Sequence, residues 1–166
     1  MNTQIRPSIY SDLPHLMQIY ETARRFMQQT GNAGQWVDGY PKKELLIDDI
    51  KQGHSYVCLN ENNEITGTFY FIVGEEPTYL KIYEGSWLND EPYGVIHRIA
   101  SSGKEKGIAE TCINWCLEKC KNLRIDTHRD NKVMQNILQK LEFTYCGIIY
   151  LDNGDERLAY QKSYES

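Results

Sequence analysis

The sequence predicts a mixed fold of the α/β or α+β class, with a central twisted mixed sheet flanked by helices and one domain spanning residues 1–166. Three observations carry this expectation. Segments with helical periodicity interrupt segments of strand composition. Hairpin signals stand near both ends of the chain. Two strand–helix–strand crossings fill the second half, and these are expected to be right-handed and parallel where the strands are direct neighbours.

The elements follow in order. Residues 3–9, "TQIRPSI", have strand composition, and Ser11 or Asp12 stands where a cap for the next helix is needed. Leu13, Leu16, Met17, Ile19, Tyr20, Ala23 and Phe26 then recur at helical spacing and give one apolar face. "GNAGQWVDGYP", residues 31–41, breaks that period with three glycines and a proline and reads as a loop. "KKELLIDDIKQG" is a short amphipathic helix stopped at Gly53. Residues 55–74 hold two runs of β-branched and aromatic residues around "NENNE", a hairpin signal. "TYLKIYEGSWL" fits either a strand end or an irregular loop. "YGVIHRIA" is a strand, Ile108–Cys120 a helix and "NLRIDTH" a strand, with Asp130 placed to cap a helix from about Asn131 to Leu141. "FTYCGIIYL" and "ERLAYQKSY" close the chain as an antiparallel pair around "DNGD".

Composition narrows the function classes. The net charge of −5 argues against broad binding to nucleic acid but leaves room for a local basic patch that binds a small anion. "MNTQIRPSIYSDL" lacks the apolar core of a signal peptide, and no apolar run approaches membrane-spanning length, so a cytoplasmic protein with no membrane partner is expected. Five cysteines without a secretion signal do not suggest a disulfide framework. Cys112, Cys116 and Cys120 stack on one helix face. They are either zinc ligands or small buried hydrophobes. Structural zinc sites usually draw on turns with closer pairs, which favours the buried reading and no metal.

The most informative stretch is "SSGKEKGIAETCINWCLEKC", residues 101–120, where a small-residue turn with Lys104 and Lys106 opens a helix. Helix N-termini carry unpaired N–H groups and partial positive charge, and small residues let an anion approach them. The turn is not a Walker loop, and it lacks the dinucleotide fingerprint. From physics alone, a phosphate cradle and a plain solvated turn stand equal.

"KEKGIA" resembles the [QR]-x-x-G-x-[GA] signature of the GNAT family of N-acetyltransferases, with Lys104 at the Gln/Arg position. "NKVMQNILQKLEF" is similar to that family's next motif, an Asn-led helix ending in a glycine–phenylalanine turn; Asn131 and Phe143 match, and Glu142 stands where glycine is usual. The element order resembles the family's over nearly the whole chain. The resemblance implies a GNAT-like acyl-CoA N-acyltransferase fold with acetyl-CoA as co-substrate. It implies that the pyrophosphate meets the glycine turn at Lys104, Lys106, Gly107, Ile108 and Ala109. The pantetheine arm would lie along Ile99, Ala100 and Ser101, in a splay beside "LRIDT", with Asn131 in contact. It also admits a homodimer.

Acetyl transfer to an amine needs deprotonation of the ammonium, polarisation of the thioester carbonyl and a proton for the leaving thiolate. The resemblance places the usual proton donor, a tyrosine, at Leu138, so that donor is missing. His97 is a candidate base, and strand alternation puts it on one face with Ile99; a hydrogen-bonded structural histidine is the other reading. Tyr145 and Tyr93 are candidate acids. His128 either faces the splay or helps to cap the Asn-led helix. Asp126 either contacts substrate or pairs with Arg124. On the acceptor side Trp36 and Tyr40 are either an aromatic wall for a cation or packing anchors of the loop. Trp87 and Glu84 are candidates for the same cleft, with a solvated loop carboxylate the other reading of Glu84.

The leading expectation is an enzyme acetylating a primary amine of a small molecule or peptide. Loss of the helix tyrosine supports a competing one, a non-catalytic acyl-CoA-binding module. A domain binding another phosphate ligand at the same turn is a third.

Overall fold

The structure, a computed structural model, describes residues 3–164. Its elements are β1 (Gln4–Pro7), α1 (Leu13–Gln29), α2 (Lys43–Lys51), β2 (Ser55–Leu59), β3 (Ile65–Val73), β4 (Gly94–Ser101), α3 (Ile108–Cys120), β5 (Asn122–Thr127), α4 (Lys132–Lys140), β6 (Thr144–Tyr150) and β7 (Glu156–Ser163). The seven strands form one mixed sheet in the order β1-β2-β3-β4-β5-β7-β6, antiparallel except for the β4–β5 pair. The first crossing, β4-α3-β5, joins direct neighbours; the second, β5-α4-β6, does not, because β7 lies between them. Among the described residues no helix is long and apolar enough to cross a membrane.

Alternation along the strands sends side chains to two helix layers. Phe69, Phe71, Ile96 and Leu123 pack under α3 and α4 with Ile113 and Leu138. Val57, Leu59 and Ala100 face the other way, against Leu16 and Tyr20 of α1 and Leu46 of α2. Burying one such leucine stabilises the fold by about 2 kcal/mol. Cys112 and Cys116 lie wholly within the α3-side core, so they pack as small apolar groups.

Two caps differ from expectation. Tyr10–Asp12 forms a 3₁₀ turn running straight into α1, so Asp12 is already helical. Its carboxylate therefore turns back, accepting from the Ile9 N–H at 2.8 Å and from both terminal nitrogens of Arg6, instead of capping α1. At α4 the cap is Asn131, not Asp130: Asn131 Oδ1 accepts from the Met134 N–H at 2.9 Å. His128 organises the preceding turn, its Nδ1 accepting from the Asp130 N–H at 2.9 Å.

Residues 75–93, ambiguous in sequence, are irregular apart from a 3₁₀ turn at Pro77–Tyr79 and a bridge from Tyr83 to Ile148. They dock on the sheet through the Leu88 N–H donating to the buried Gln161 side chain and Arg124 donating to the Asn89 carbonyl, while Trp87 Nε1–H braces the segment internally by donating to the Tyr79 carbonyl. Gly85 is needed there, because a β-carbon would lie 1.9 Å from the Cys146 carbonyl oxygen.

Candidate active site

β4 and β5 pair only at Gly94 with Leu123 and Val95 with Arg124, and then diverge. A cavity of about 1130 Å³ fills the opening, bounded by α1, the α1–α2 loop, the start of α3 and α4. It is large enough for an extended ligand with a second molecule beside it.

At one end lies the small-residue turn. Ser101 Oγ accepts from the Gly103 N–H and Ser102 Oγ from the Lys104 N–H, which folds the turn on itself. Gly103 and Gly107 hold φ of 80° and 77°, values that glycine adopts without strain, and a β-carbon at either would meet nothing within 4 Å. No side chain caps α3. The first helical N–H bonded to a carbonyl four residues back is that of Thr111, to Gly107. The N–H groups of Ile108, Ala109 and Glu110 therefore have no intrahelical partner, and all three residues line the cavity. Gly67 lets β3 approach this point: its β-carbon would lie 2.5 Å from Ile108 Cγ2. An open N-terminus with no side chain over it fits a pyrophosphate.

Midway along β4 the ladder slips, Tyr70 facing His97 while Thr68 faces Ala100, so β4 carries one extra residue. Arg98 sits in this bulge at φ 52°. It is tied to α2 by two bonds to Asp49, of 2.9 and 3.0 Å, and to the Tyr40 hydroxyl at 3.1 Å. The bulge overturns simple alternation. Ile99 joins Ile96 against the α3-side core, whereas His97 faces the α1 side with Ala100.

His97 meets a residue that sequence reasoning passed over: its Nε2 is 2.6 Å from Oε1 of Glu76. That bond, foremost, holds the Glu76 carboxyl below its ordinary range against the opposing effect of burial. Nearby, the Tyr79 hydroxyl donates to Asp126 Oδ2 at 2.6 Å. Burial, and then the charge of Asp126, push the Tyr79 hydroxyl well above its ordinary value, so it stays protonated. Asp126 thus pairs with Tyr79 and not with Arg124, which lies between the rings of Trp87 and Tyr93. Glu76 had a local signal, a carboxylate before Pro77 that accepts from the Thr78 N–H. Nothing local pointed it at His97.

The cavity brings together His97, Ile99, Ala100, Ser101, Lys106, Gly107, Ile108, Ala109, Asn131, Trp36 and Tyr40. Trp36 serves two ends, lining the cavity while its ring contacts Tyr20 and Tyr40 edge-on at 5.6 and 6.2 Å. Asn131 gives its Nδ2–H to Gln35 Oε1 as well as capping α4.

Four expected residues lie elsewhere. Lys104 stands on the exposed rim of the turn. Trp87 is packed on Arg124 and Tyr79, outside the cavity. Glu84, exposed at φ 55°, follows Tyr83 along the outer edge of β6. Tyr145 is 49 % exposed and meets edge-on the ring of Tyr160, which belongs to the α3-side core, so it occupies the sheet face opposite His97. Leu138 is fully buried in the same core and does not itself line the cavity.

No protein-family model and no curated protein matches the chain. Solved structures do. A GNAT-family acetyltransferase from Streptococcus agalactiae 2603 is 39 % identical over 99 % of this chain and 96 % of its own, with a TM-score of 0.89. One from Listeria monocytogenes 4b F2365 shares the fold at 16 % identity and a TM-score of 0.73, over 98 % and 95 % of the two chains. Sheet order, helices and these likenesses define the class as acyltransferases. The identity to the streptococcal protein over almost the entire length goes further: the chain belongs to the GNAT family of acetyltransferases.

Proposed function

We propose that the protein transfers an acetyl group from acetyl-CoA to a primary amine of a small molecule or peptide, by direct attack with both substrates bound. The gap between β4 and β5, ending at the uncapped start of α3, carries this reading. Acetyl-CoA, when bound, supplies an acetyl thioester, an extended pantetheine arm and a pyrophosphate. Gly107, Ile108 and Ala109 would hold the pyrophosphate through their N–H groups, with Lys106 adding positive charge and Lys104 contributing only from the exposed rim. Ile99, Ala100 and Ser101 would flank the arm, with Asn131 across from them.

The amine must lose a proton before it has a lone pair to donate. Glu76 and His97 form the pair that takes it, a carboxylate held in its charged form beside an imidazole within hydrogen-bond distance. Asp126, oriented by Tyr79, attracts the ammonium into reach. Trp36 and Tyr40 wall the entrance on the α1–α2 loop.

Burial of Leu138 at the position of the family's tyrosine favours a second reading, a module that binds acyl-CoA without turnover. One experiment separates the two. Acetyl-CoA is titrated calorimetrically into the protein and into Gly107→Trp, and thiol release is then followed with a panel of amines. Binding abolished by the substitution, with thiol release from the unmodified protein, supports the enzyme. Binding without release from any amine supports the module. No binding by the folded protein removes both.

A further inference from the structure

We infer that Arg157 recognises a carboxylate on the acceptor, so that the amine substrate is an α-amino acid; this rests on the acetyltransferase reading above. Three arginines line the cavity. Arg25 is paired with Glu21, and Arg98 with Asp49. Arg157 has no carboxylate partner among the described residues, although it is only 5 % exposed. Its guanidinium donates to main-chain carbonyls, Nη1 to Glu156 at 2.9 Å and Nη2 to Gln35 at 3.2 Å. The carboxylates beside it in sequence are engaged elsewhere: Glu156 with Arg129, and Asp155 with the Asn153 amide. A buried cation without a counter-charge is costly, and an arriving carboxylate matches the planar fork of the guanidinium.

Position supplies the rest. Asp126 is opposite Ala159, and Arg157 is two residues from Ala159 on the same face of β7. The two charged side chains are therefore diagonal neighbours, with about 7 Å between their positions. Asp126 and Glu76 offer negative charge to an ammonium, and Arg157 offers positive charge to a carboxylate a short span away. That pattern suits a zwitterion. It also sets Arg157 apart from the phosphate end. Arg157 shares its sheet face with Ile149 and Ala159, on the side away from α3.

The test compares L-leucine, L-tryptophan and L-lysine with their α-carboxamides as acceptors at saturating acetyl-CoA. The amide keeps the amine and side chain and removes the charge. The expected result is kcat/KM at least about tenfold higher for the acid in one or more pairs. In Arg157→Gln that preference collapses, while calorimetric affinity for acetyl-CoA stays as in the unmodified protein. Arg157→Lys restores part of it. Arg157→Met, which keeps the unbranched length and removes the charge, lowers the preference in the same direction and serves if Arg157→Gln fails to fold. Amides as good as acids in all three pairs, or a preference surviving in Arg157→Gln, overturn the inference and leave the acetyltransferase reading standing. Weakened acetyl-CoA binding in Arg157→Gln also overturns it, assigning the arginine to the cofactor. If no amine is turned over, calorimetry with the same acids and amides decides. Binding of acids alone, lost in Arg157→Gln, supports the assignment, and absence of binding overturns it.

Discussion

His97 Nε2 and Glu76 Oε1 stand 2.6 Å apart although 21 positions separate the residues in the chain. β4 presents the histidine and the segment before Pro77 presents the carboxylate, whose other oxygen is fixed by the Thr78 N–H. A pair held from both sides is a defined place for a proton. Glu76→Gln keeps the shape and a hydrogen bond but removes the charge. With any amine that is turned over, kcat is expected to fall about 100-fold, with calorimetric affinity for acetyl-CoA unchanged. A kcat within about twofold of the unmodified protein would assign deprotonation to water instead.

Tyr79 is the most buried tyrosine beside the site, and its hydroxyl donates to Asp126 at 2.6 Å. Tyr79→Phe preserves the packing against Val95 and Ile149 and removes the donor. The carboxylate loses a strong partner, so stability should fall by about 1–3 kcal/mol, read from denaturant unfolding. The KM for amine should rise as well, because Asp126 is then free to turn. A change in stability with no change in KM would make the tyrosine purely structural.

Local chemistry made most of the elements legible. Periodicity marked α1 and α3, and the glycine turn marked the opening of α3, because both signals sit within a few residues. The bulge at Arg98 is not of that kind. It arises where Asp49 and Tyr40, from another layer, draw the arginine out of register, so alternation misplaced Ile99 relative to His97. Glu76 and Arg157 were missed for the same reason. Their importance lies in what they meet, or fail to meet, across the cavity. Tyr145 was chosen by residue type, and only the β6–β7 register reveals which face it occupies.

Acid stability should depend on Asp12. Its carboxyl is held below the ordinary range first by the hydrogen bond from Arg6, with burial opposing and the Ile9 N–H helping. A carboxyl with a depressed folded value binds its proton more weakly in the folded chain than in the unfolded one. Its stabilisation is therefore complete above the unfolded value, about pH 4, and is lost as pH falls through the folded value. Asp12→Asn should lower stability at pH 7 by about 1–2 kcal/mol and flatten the curve below pH 4. An unchanged slope there would show that other carboxyls govern acid unfolding.

Glu142 ends α4 in a left-handed conformation, φ 66°, at the position where the resemblance has glycine. The backbone closes the helix in the usual double-bonded way, the Phe143 N–H donating to the Leu138 carbonyl at 2.9 Å and the Glu142 N–H to Gln139 at 3.0 Å. A β-carbon in this region costs about 1 kcal/mol that glycine does not incur. Glycine also gains freedom in the unfolded chain, which offsets part of the benefit. Glu142→Gly should still stabilise the protein by about 0.5 kcal/mol, raising the thermal midpoint by about 1–2 °C. The hydrogen bonds at the helix end are main-chain and survive the substitution. A lowered midpoint would mean that the Glu142 side chain contributes more through its surroundings than its backbone strain removes.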